Sequence, residues 1–156
     1  LPPSIGEIAP SRQCTYRFQN GGVVSTQLTV QLMVQGQANQ ALALYAEAIP
    51  GFTLIRKDLY GPEGPGKKGS VQEAVFSIAN TTVHCIDSPV AHGFDFTPST
   101  SLCLALDDRP TVERVFAALA EKGKSLMPLD DYGFNPCFGW LQDRFGVSWQ
   151  ISLKSA

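Results

Sequence analysis

Residues 137–153 read Cys-Phe-Gly-Trp-Leu-Gln-Asp-Arg-Phe-Gly-Val-Ser-Trp-Gln-Ile-Ser-Leu. Two runs of alternating apolar and polar residues flank the turn-like sequence Asp143-Arg144-Phe145-Gly146, and this pattern predicts a β-hairpin. Because successive strand residues point to opposite faces, the second run has an apolar and a polar face. The apolar face carries Val147, Trp149 and Ile151, and the polar face carries Ser148, Gln150 and Ser152. A polar face of this kind lines either solvent or a pocket.

The composition indicates a single domain. The chain has 156 residues and 44% apolar content, enough to bury a core without disulfides or a metal. Its net charge of -2, with no run of like charges, lacks the basic patch that nucleic-acid binding requires. No apolar stretch approaches the roughly 20 residues that cross a bilayer. We therefore expect neither nucleic acid nor a membrane as a partner.

The first residues and the cysteines bear on location. The sequence Leu1-Pro2-Pro3-Ser4 lacks the basic-then-apolar layout of a signal peptide. The four cysteines lie far apart, with no Cys-x-x-Cys pair, which favours buried free thiols over a zinc site. They are Cys14, Cys85, Cys103 and Cys137. Free thiols are typical of a reducing compartment, so we expect a cytoplasmic protein.

Periodicity and turn residues predict the elements. Residues 1–26 are expected to form an irregular lead-in, with a hairpin turn at Asn20-Gly21. A strand (28–34), a helix (38–49) and three strands (52–59, 71–79, 82–87) follow. After a polar connection the order recurs as a strand (101–106), a helix and three strands (125–129, 138–142, 147–153). Asp107-Asp108-Arg109-Pro110 is typical of a helix start with an aspartate N-cap, and Lys122-Gly123-Lys124 of a helix end with a C-terminal glycine.

An internal repeat links the two halves. At an offset of 74 positions, apolar residues of the first strand and helix fall on apolar residues of the second. The matched pairs are Leu28 and Leu102, Leu32 and Leu106, Ala38 and Val112, Ala41 and Val115, Leu42 and Phe116, and Tyr45 and Leu119. The predicted fold class is α+β: one domain, residues 27–156, made of two βαβββ modules at about 27–90 and 99–154. One module leaves a sheet face exposed, so two should pair and enclose a space.

Three segments carry a resemblance to a known family. They are residues 139–151, Gly-Trp-Leu-Gln-Asp-Arg-Phe-Gly-Val-Ser-Trp-Gln-Ile; residues 65–71, Pro-Gly-Lys-Lys-Gly-Ser-Val; and residues 96–102, Phe-Thr-Pro-Ser-Thr-Ser-Leu. Together with the helix at 38–45 they resemble the PhnB-like branch of the vicinal oxygen chelate (glyoxalase/bleomycin resistance/dioxygenase) superfamily. The resemblance covers residues 28–153. It implies a cupped mixed sheet built from two βαβββ modules, and a homodimer.

The resemblance also implies where a metal would be held. Enzymes of the superfamily bind a divalent metal through His or Glu side chains on four strands of the cup. On this sequence those positions fall near Thr29 or Gln31, Glu73, Ser101 and Gln150. Only Glu73 is a good ligand, because amide and hydroxyl oxygens are poor substitutes for imidazole, carboxylate or thiolate. We therefore expect no metal and no other cofactor, with a divalent metal as the alternative.

Members of this branch often carry the name 3-demethylubiquinone methyltransferase. A methyltransferase that uses S-adenosylmethionine needs a glycine-rich loop between a strand and a helix, and this sequence has none. The name is therefore a weak guide to the chemistry of this chain.

Glu73 is the candidate catalytic residue. In a partly apolar cleft, desolvation would raise the pKa of its carboxyl and suit it to act as a general base; at an exposed strand start it would stay solvated. The candidate ligand-binding residues are Thr29, Gln31, Ser101, Trp140, Ser148 and Gln150. Trp149 is expected in the core, because its parity is opposite to that of Gln150.

The two histidines are interpreted as separate surface or core residues. They are His84 and His92, and they lie near Asp87 and Asp95 in the sequence. A metal cluster built from these four residues is the alternative.

Two functions remain open. The first is a PhnB-like protein that binds a small organic molecule in the cup without the superfamily's metal. The second is a metal-dependent lyase, isomerase or dioxygenase-type enzyme in which Glu73 and further donors hold the ion. A purely structural role is a third possibility.

Overall fold

The computed structural model describes the backbone of residues 14–17 and 23–26 and all of residues 27–155. Two short strands, β1 (Cys14–Arg17) and β2 (Val23–Thr26), pair antiparallel, with Cys14 opposite Thr26. This pairing fits the hairpin predicted within the lead-in. The predicted turn at Asn20-Gly21 lies outside the described residues.

The first module is a four-stranded sheet with one helix. Its elements are β3 (Val30–Val34), α1 (Ala38–Ala48), β4 (Phe52–Leu59), β5 (Val71–Ile78) and β6 (Thr81–Asp87). The strand order is β3-β6-β5-β4. Strand β3 runs parallel to β6, and the other two pairs are antiparallel.

The second module repeats this arrangement. Its elements are β7 (Leu102–Leu106), α2 (Arg109–Ala120), β8 (Lys124–Asp130), β9 (Phe138–Gln142) and β10 (Ser148–Leu153). The strand order β7-β10-β9-β8 has the same mixture of one parallel and two antiparallel pairs. The two predicted βαβββ modules are confirmed.

The helices bury matching stripes, which explains the repeat in the sequence. At equivalent positions, each helix directs three side chains into the core, and all six are almost fully buried. They are Ala38, Ala41 and Tyr45 in α1, and Val112, Val115 and Leu119 in α2. The helices also contact each other. The Tyr45 ring lies 5.2 Å from that of Trp149, which is 1% exposed, so the modules share one core and the prediction for Trp149 is confirmed.

The end of α2 differs from its prediction. Gly123 does not adopt the left-handed conformation expected of a helix-ending glycine; Lys122 does, with φ of 59°. Gly123 is needed for another reason, because a Cβ there would collide with the backbone carbonyl of Gln142. The residue thus allows the chain leaving α2 to approach the end of β9.

Two further observations bear on the sequence-based expectations. Cys85 and Cys137 are buried, as expected, but Cys103 is exposed, so the prediction of a buried thiol is wrong there. Strand β7 presents Cys103 on the face of the sheet that α2 does not cover. Neither of the two described helices has the length and apolar character needed to span a membrane.

Candidate functional site

The face of the second sheet that points away from α2, here called the open face, carries most of the predicted site. Gly139 lies under α2, since a Cβ there would collide with the ring of Phe116. Its neighbours Phe138 and Trp140 therefore point the other way. Trp140 is in register with Gln150 on β10, which is in register with Cys103 on β7. The open face thus runs across three adjacent strands.

Four of the predicted ligand-binding residues form one hydrogen-bonded network on this face. The hydroxyls of Ser101 and Ser148 are 2.7 Å apart, and the indole N–H of Trp140 donates to the Ser148 hydroxyl at 2.9 Å. The Gln150 amide donates to the Ser101 hydroxyl at 3.4 Å. Ser148 is only 2% exposed, so its hydroxyl serves to fix the others. The network presents hydroxyl and amide groups in fixed positions, able to donate to and accept from a ligand.

An aromatic cluster borders this network. Phe138 packs edge-on against Phe134 at 5.1 Å and against Tyr132 at 5.9 Å between ring centroids. Phe134 is 69% exposed, although aromatic side chains are usually buried. Tyr132 and Phe134 belong to the β8–β9 loop, and sequence reasoning missed them because a loop has no periodicity that would assign them to a face. The cluster adds apolar surface beside the polar network.

The other predicted residues lie on the first sheet. Gln31 is in register with His84 across the β3–β6 pair, and Thr29 is exposed just before β3. His84 Nδ1 lies 3.2 Å from a carboxylate oxygen of Glu73, whose other oxygen accepts a hydrogen bond from Arg56. Arg56 also pairs with Asp58 at 2.7 Å. Glu73 therefore belongs to a surface network of charges.

Of the two alternatives for Glu73, the one with a raised pKa is wrong. The hydrogen bond with His84 and the charge and hydrogen bond of Arg56 lower the pKa of this carboxyl, because they stabilise its ionised form against the smaller effect of desolvation. Its side chain is 35% exposed. Hence Glu73 is ionised at neutral pH. The role of His84 was missed, although a tight hairpin between β5 and β6 would have placed it diagonally across from Glu73.

The predicted residues therefore fall into two groups on two sheets. Gln31 and Glu73 lie on the first sheet, and the Ser101–Ser148–Trp140–Gln150 network lies on the second. A cavity of about 250 Å³ borders Gln31, but its other walls come from β3, Gln35, Gln37, Phe145 and residues 94–96 rather than from the network.

Within the described part of one chain, the residues present do not complete a site for a divalent metal. Within the part of the chain that the structure describes, no three His, Cys, Asp or Glu side chains are placed to hold an ion. Glu73 and His84 supply two donors, and the remaining implied positions carry amides and hydroxyls. His92 is engaged elsewhere, with Nε2 2.8 Å from the Ser88 hydroxyl. His84 and His92 thus contact different residues and do not form the alternative metal cluster.

The two strand-to-helix turns also lack the glycine-rich sequence of a loop that binds the phosphate groups of a nucleotide cofactor. The turn from β3 to α1 reads Gln35-Gly36-Gln37, and that from β7 to α2 contains Asp107 and Asp108. A glycine-rich loop at a helix N-terminus is the usual way to bring backbone amides close to such a group.

Comparison with known proteins identifies relatives across most of the chain. A family model described as 3-demethylubiquinone-9 3-methyltransferase matches residues 26–152. A PhnB protein from Bacillus cereus has 39% sequence identity and a TM-score of 0.79, over 83% of this chain and 100% of that one. A protein from Pseudomonas aeruginosa has 28% identity and a TM-score of 0.75, over 85% of this chain and 100% of that one. No curated protein sequence matches the chain.

A more distant neighbour shares the fold. The fosfomycin resistance protein FosX from Listeria monocytogenes, in a complex with Mn(II) and sulfate, has 12% identity and a TM-score of 0.54, over 85% of this chain and 94% of that one. This likeness supports the glyoxalase-like architecture of paired βαβββ modules.

Proposed function

This chain belongs to the PhnB-like, 3-demethylubiquinone-9 3-methyltransferase family, and we propose that it binds a small organic molecule on the open face without the superfamily's metal. The observation that carries this proposal is the network of Ser101, Ser148, Trp140 and Gln150. Two of its members, Ser101 and Gln150, are at positions where the family resemblance implies metal ligands. The aromatic cluster beside it supplies apolar surface for the rest of the ligand.

Small neighbours leave room above the network. Cys103 and Ala105 on β7 are both exposed and lie beside Gln150 and Ser152 in the sheet register. A ligand could therefore lie across β7 and β10, with Phe138 and Trp140 as a wall. Large side chains on β7 would have filled this space.

Trp140 gives a direct way to test ligand binding. We expect that a compound found in a thermal-shift screen changes the emission of Trp140, and that the change is lost in Trp140→Phe, whereas the buried Trp149 does not respond. Gln150→Leu should weaken binding by about fivefold, since one hydrogen bond to a ligand is worth roughly 1 kcal/mol. Gln72→Leu on β5 is the matched control, because Gln72 is exposed on a strand of the first sheet. Equal binding by both Gln variants would refute the proposed site.

We further propose a homodimer in which the open face of one chain approaches the first sheet of another. In one chain the two groups of predicted residues stand on separate sheets, and β4 is an edge strand with large exposed apolar side chains, Leu54, Ile55 and Leu59. Such an edge is a common pairing surface. Size-exclusion chromatography with light scattering should give twice the chain mass, and Ile55→Lys should reduce it. A monomeric wild type would refute this arrangement.

A metal-dependent lyase, isomerase or dioxygenase-type activity is the second candidate. The observation that favours it is the contact between Glu73 and His84, two side chains of ligand type on the first sheet. It predicts about one divalent ion per chain after purification without a histidine tag or chelator, and loss of that ion in Glu73→Ala. Metal content unchanged by this substitution would refute the role of Glu73.

The compartment is also a proposal. Cys85 and Cys137 are buried thiols without a disulfide partner. Unpaired cysteines are typical of the reducing cytoplasm, and we place the protein there.

A further inference from the structure

A groove of about 430 Å³ lies where the two modules meet, away from the open face. Three basic side chains line it: Lys122 after α2, Lys124 at the start of β8, and Arg144 in the β9–β10 turn. Gln37, the residue before α1, lies on the opposite module. Its side chain makes no capping bond to the helix and is available to a ligand. The groove therefore combines positive charge with hydrogen-bonding groups from both modules.

The backbone around these cations is held firmly. The close approach of Gly123 to Gln142 brings the two lysines beside the β9–β10 turn. The carboxylate of Asp143 fixes that turn by accepting hydrogen bonds from the backbone N–H groups of Phe145 and Val147 at 2.9 and 3.1 Å. The positions of the three basic residues thus follow from rigid elements of the fold, which is what a binding site requires.

The three cations have no charged partner of their own. Among the ion pairs that the structure describes for residues 27–155, none includes Lys122, Lys124 or Arg144. Asp95 also lines the groove, where its carboxylate accepts a hydrogen bond from the backbone of Phe96 at 2.7 Å. Asp143 directs both oxygens inward, to four donors. At the surface of the groove, three positive charges therefore face one carboxylate, that of Asp95.

The groove continues into a second cavity, whose lining mixes apolar and polar side chains. The cavity of about 250 Å³ beside β3 shares Gln37, Asp95 and Phe145 with the groove. Its further lining includes the apolar side chains of Met33, Phe94 and Phe96, together with the amide side chains of Gln31 and Gln35. One end of the combined space is basic and open, and the other is more enclosed and offers the apolar surface of Met33, Phe94 and Phe96.

We propose that this combined space is a second binding site, which takes an organic anion with an apolar body. The body lies against Met33, Phe94 and Phe96, and a carboxylate, phosphate or sulfonate group contacts Lys122, Lys124 and Arg144. Charge-assisted hydrogen bonds from lysine and arginine to such oxyanions are among the stronger polar contacts in proteins. The site depends on the junction between the modules and uses none of the network on the open face.

A matched pair of fluorescent probes tests the two halves of the site. Anilinonaphthalene sulfonate and N-phenyl-1-naphthylamine share an aromatic body, and only the former carries a sulfonate. We expect the wild-type protein to bind the sulfonate at least about tenfold more tightly than the neutral probe. The triple variant K122Q/K124Q/R144Q should remove this preference and leave binding of the neutral probe unchanged. Phe94→Ser should weaken the binding of both.

The controls remove charge or a polar group elsewhere. K57Q/K67Q/K68Q eliminates the same number of positive charges from exposed positions outside the groove, and Gln150→Leu alters the open face. Both should keep the preference of the wild type for the sulfonate. Equal affinity of the wild type for the two probes would overturn the proposal, as would an unchanged preference in the groove variant or an equal loss in the charge control. All three substituted groove side chains are exposed, and circular dichroism verifies that the variants fold.

Discussion

Asp87 in the first module and Asp143 in the second are 2% and 3% exposed, yet they hold different parts of the molecule together. Asp87 accepts hydrogen bonds from the backbone N–H of Ala38 at 2.9 Å and of Val71 at 2.8 Å, so it joins the starts of α1 and β5 within its own module. Asp143 accepts from the Tyr45 hydroxyl at 2.8 Å and the Trp149 indole at 2.9 Å, as well as from its own turn. It therefore connects the second module to α1 of the first.

The two helices are capped in different ways. Asp108 caps α2 locally, since its carboxylate accepts from the backbone N–H of Thr111 at 2.8 Å. Gln37, at the equivalent position before α1, makes no side-chain cap, and Asp87 supplies the missing acceptor from the end of β6. Two modules with the same topology thus solve the same local problem in different ways.

Asp143→Ala should have the largest effect on stability. It leaves four donors, two of them from buried aromatic side chains, without an acceptor, and we expect the free energy of unfolding to fall by about 4 kcal/mol. Urea denaturation measures this loss. Tyr45→Phe removes only one of the four bonds and should cost about 1 kcal/mol. A loss in Asp143→Ala no greater than that in Tyr45→Phe would contradict the view that Asp143 joins the modules.

Asp87→Ala should have the second-largest effect and lower the free energy of unfolding by about 2–3 kcal/mol. The substitution leaves two buried backbone N–H groups without a partner and removes a negative charge from the N-terminus of α1. Urea denaturation again measures the loss. If the variant were as stable as the wild type, Asp87 would not be the substitute cap that its contacts indicate.

Asp108→Ala should cost less, about 1 kcal/mol, because the N-terminus of α2 is exposed and water can replace the lost acceptor. The double variant Asp87→Ala/Asp108→Ala should show the sum of the two losses, since the two carboxylates cap different helices. The same denaturation experiment compares all three proteins. A loss in Asp108→Ala as large as that in Asp87→Ala would show that burial does not distinguish the two caps.

The same contrast explains what could be predicted from the sequence. An aspartate cap at Asp107-Asp108 was predicted because the partner of such a cap is only three residues away, as Thr111 is from Asp108. The βαβββ repeat was predicted because the buried stripes recur at a fixed offset. Asp87 and Asp143 have partners 49 and 98 residues away, and no local pattern records such contacts. Asp143 was therefore interpreted only as a turn residue.

The candidate site divides in a similar way. Strand alternation placed Ser148 and Gln150 on the polar face, and the resemblance to the PhnB-like family brought Ser101 to them. Neither strand alternation nor the resemblance could place Tyr132 and Phe134, which lie in a loop. Neither could reveal that His84 and Arg56 surround Glu73. Hence the general-base interpretation of Glu73 assumed an apolar cleft, whereas its actual surroundings are charged.

Glu73 is a half-exposed carboxylate, in contrast to the two buried ones. Its substitution should have the smallest effect on stability. Its pKa is lowered by the hydrogen bond with His84 first and by Arg56 next, so the fold favours the ionised form. The resulting stabilisation is present above the unfolded pKa, roughly 4.3, and is lost as the pH falls through the folded value. Between pH 5 and 3 the wild type should therefore lose more stability than Glu73→Gln.

Carbon-13 NMR titration of the Glu73 carboxyl should give a midpoint below the usual value, and His84→Ala should raise that midpoint because the main cause of the shift is gone. A midpoint that stays unchanged in His84→Ala would show that the contact with His84 does not hold in solution.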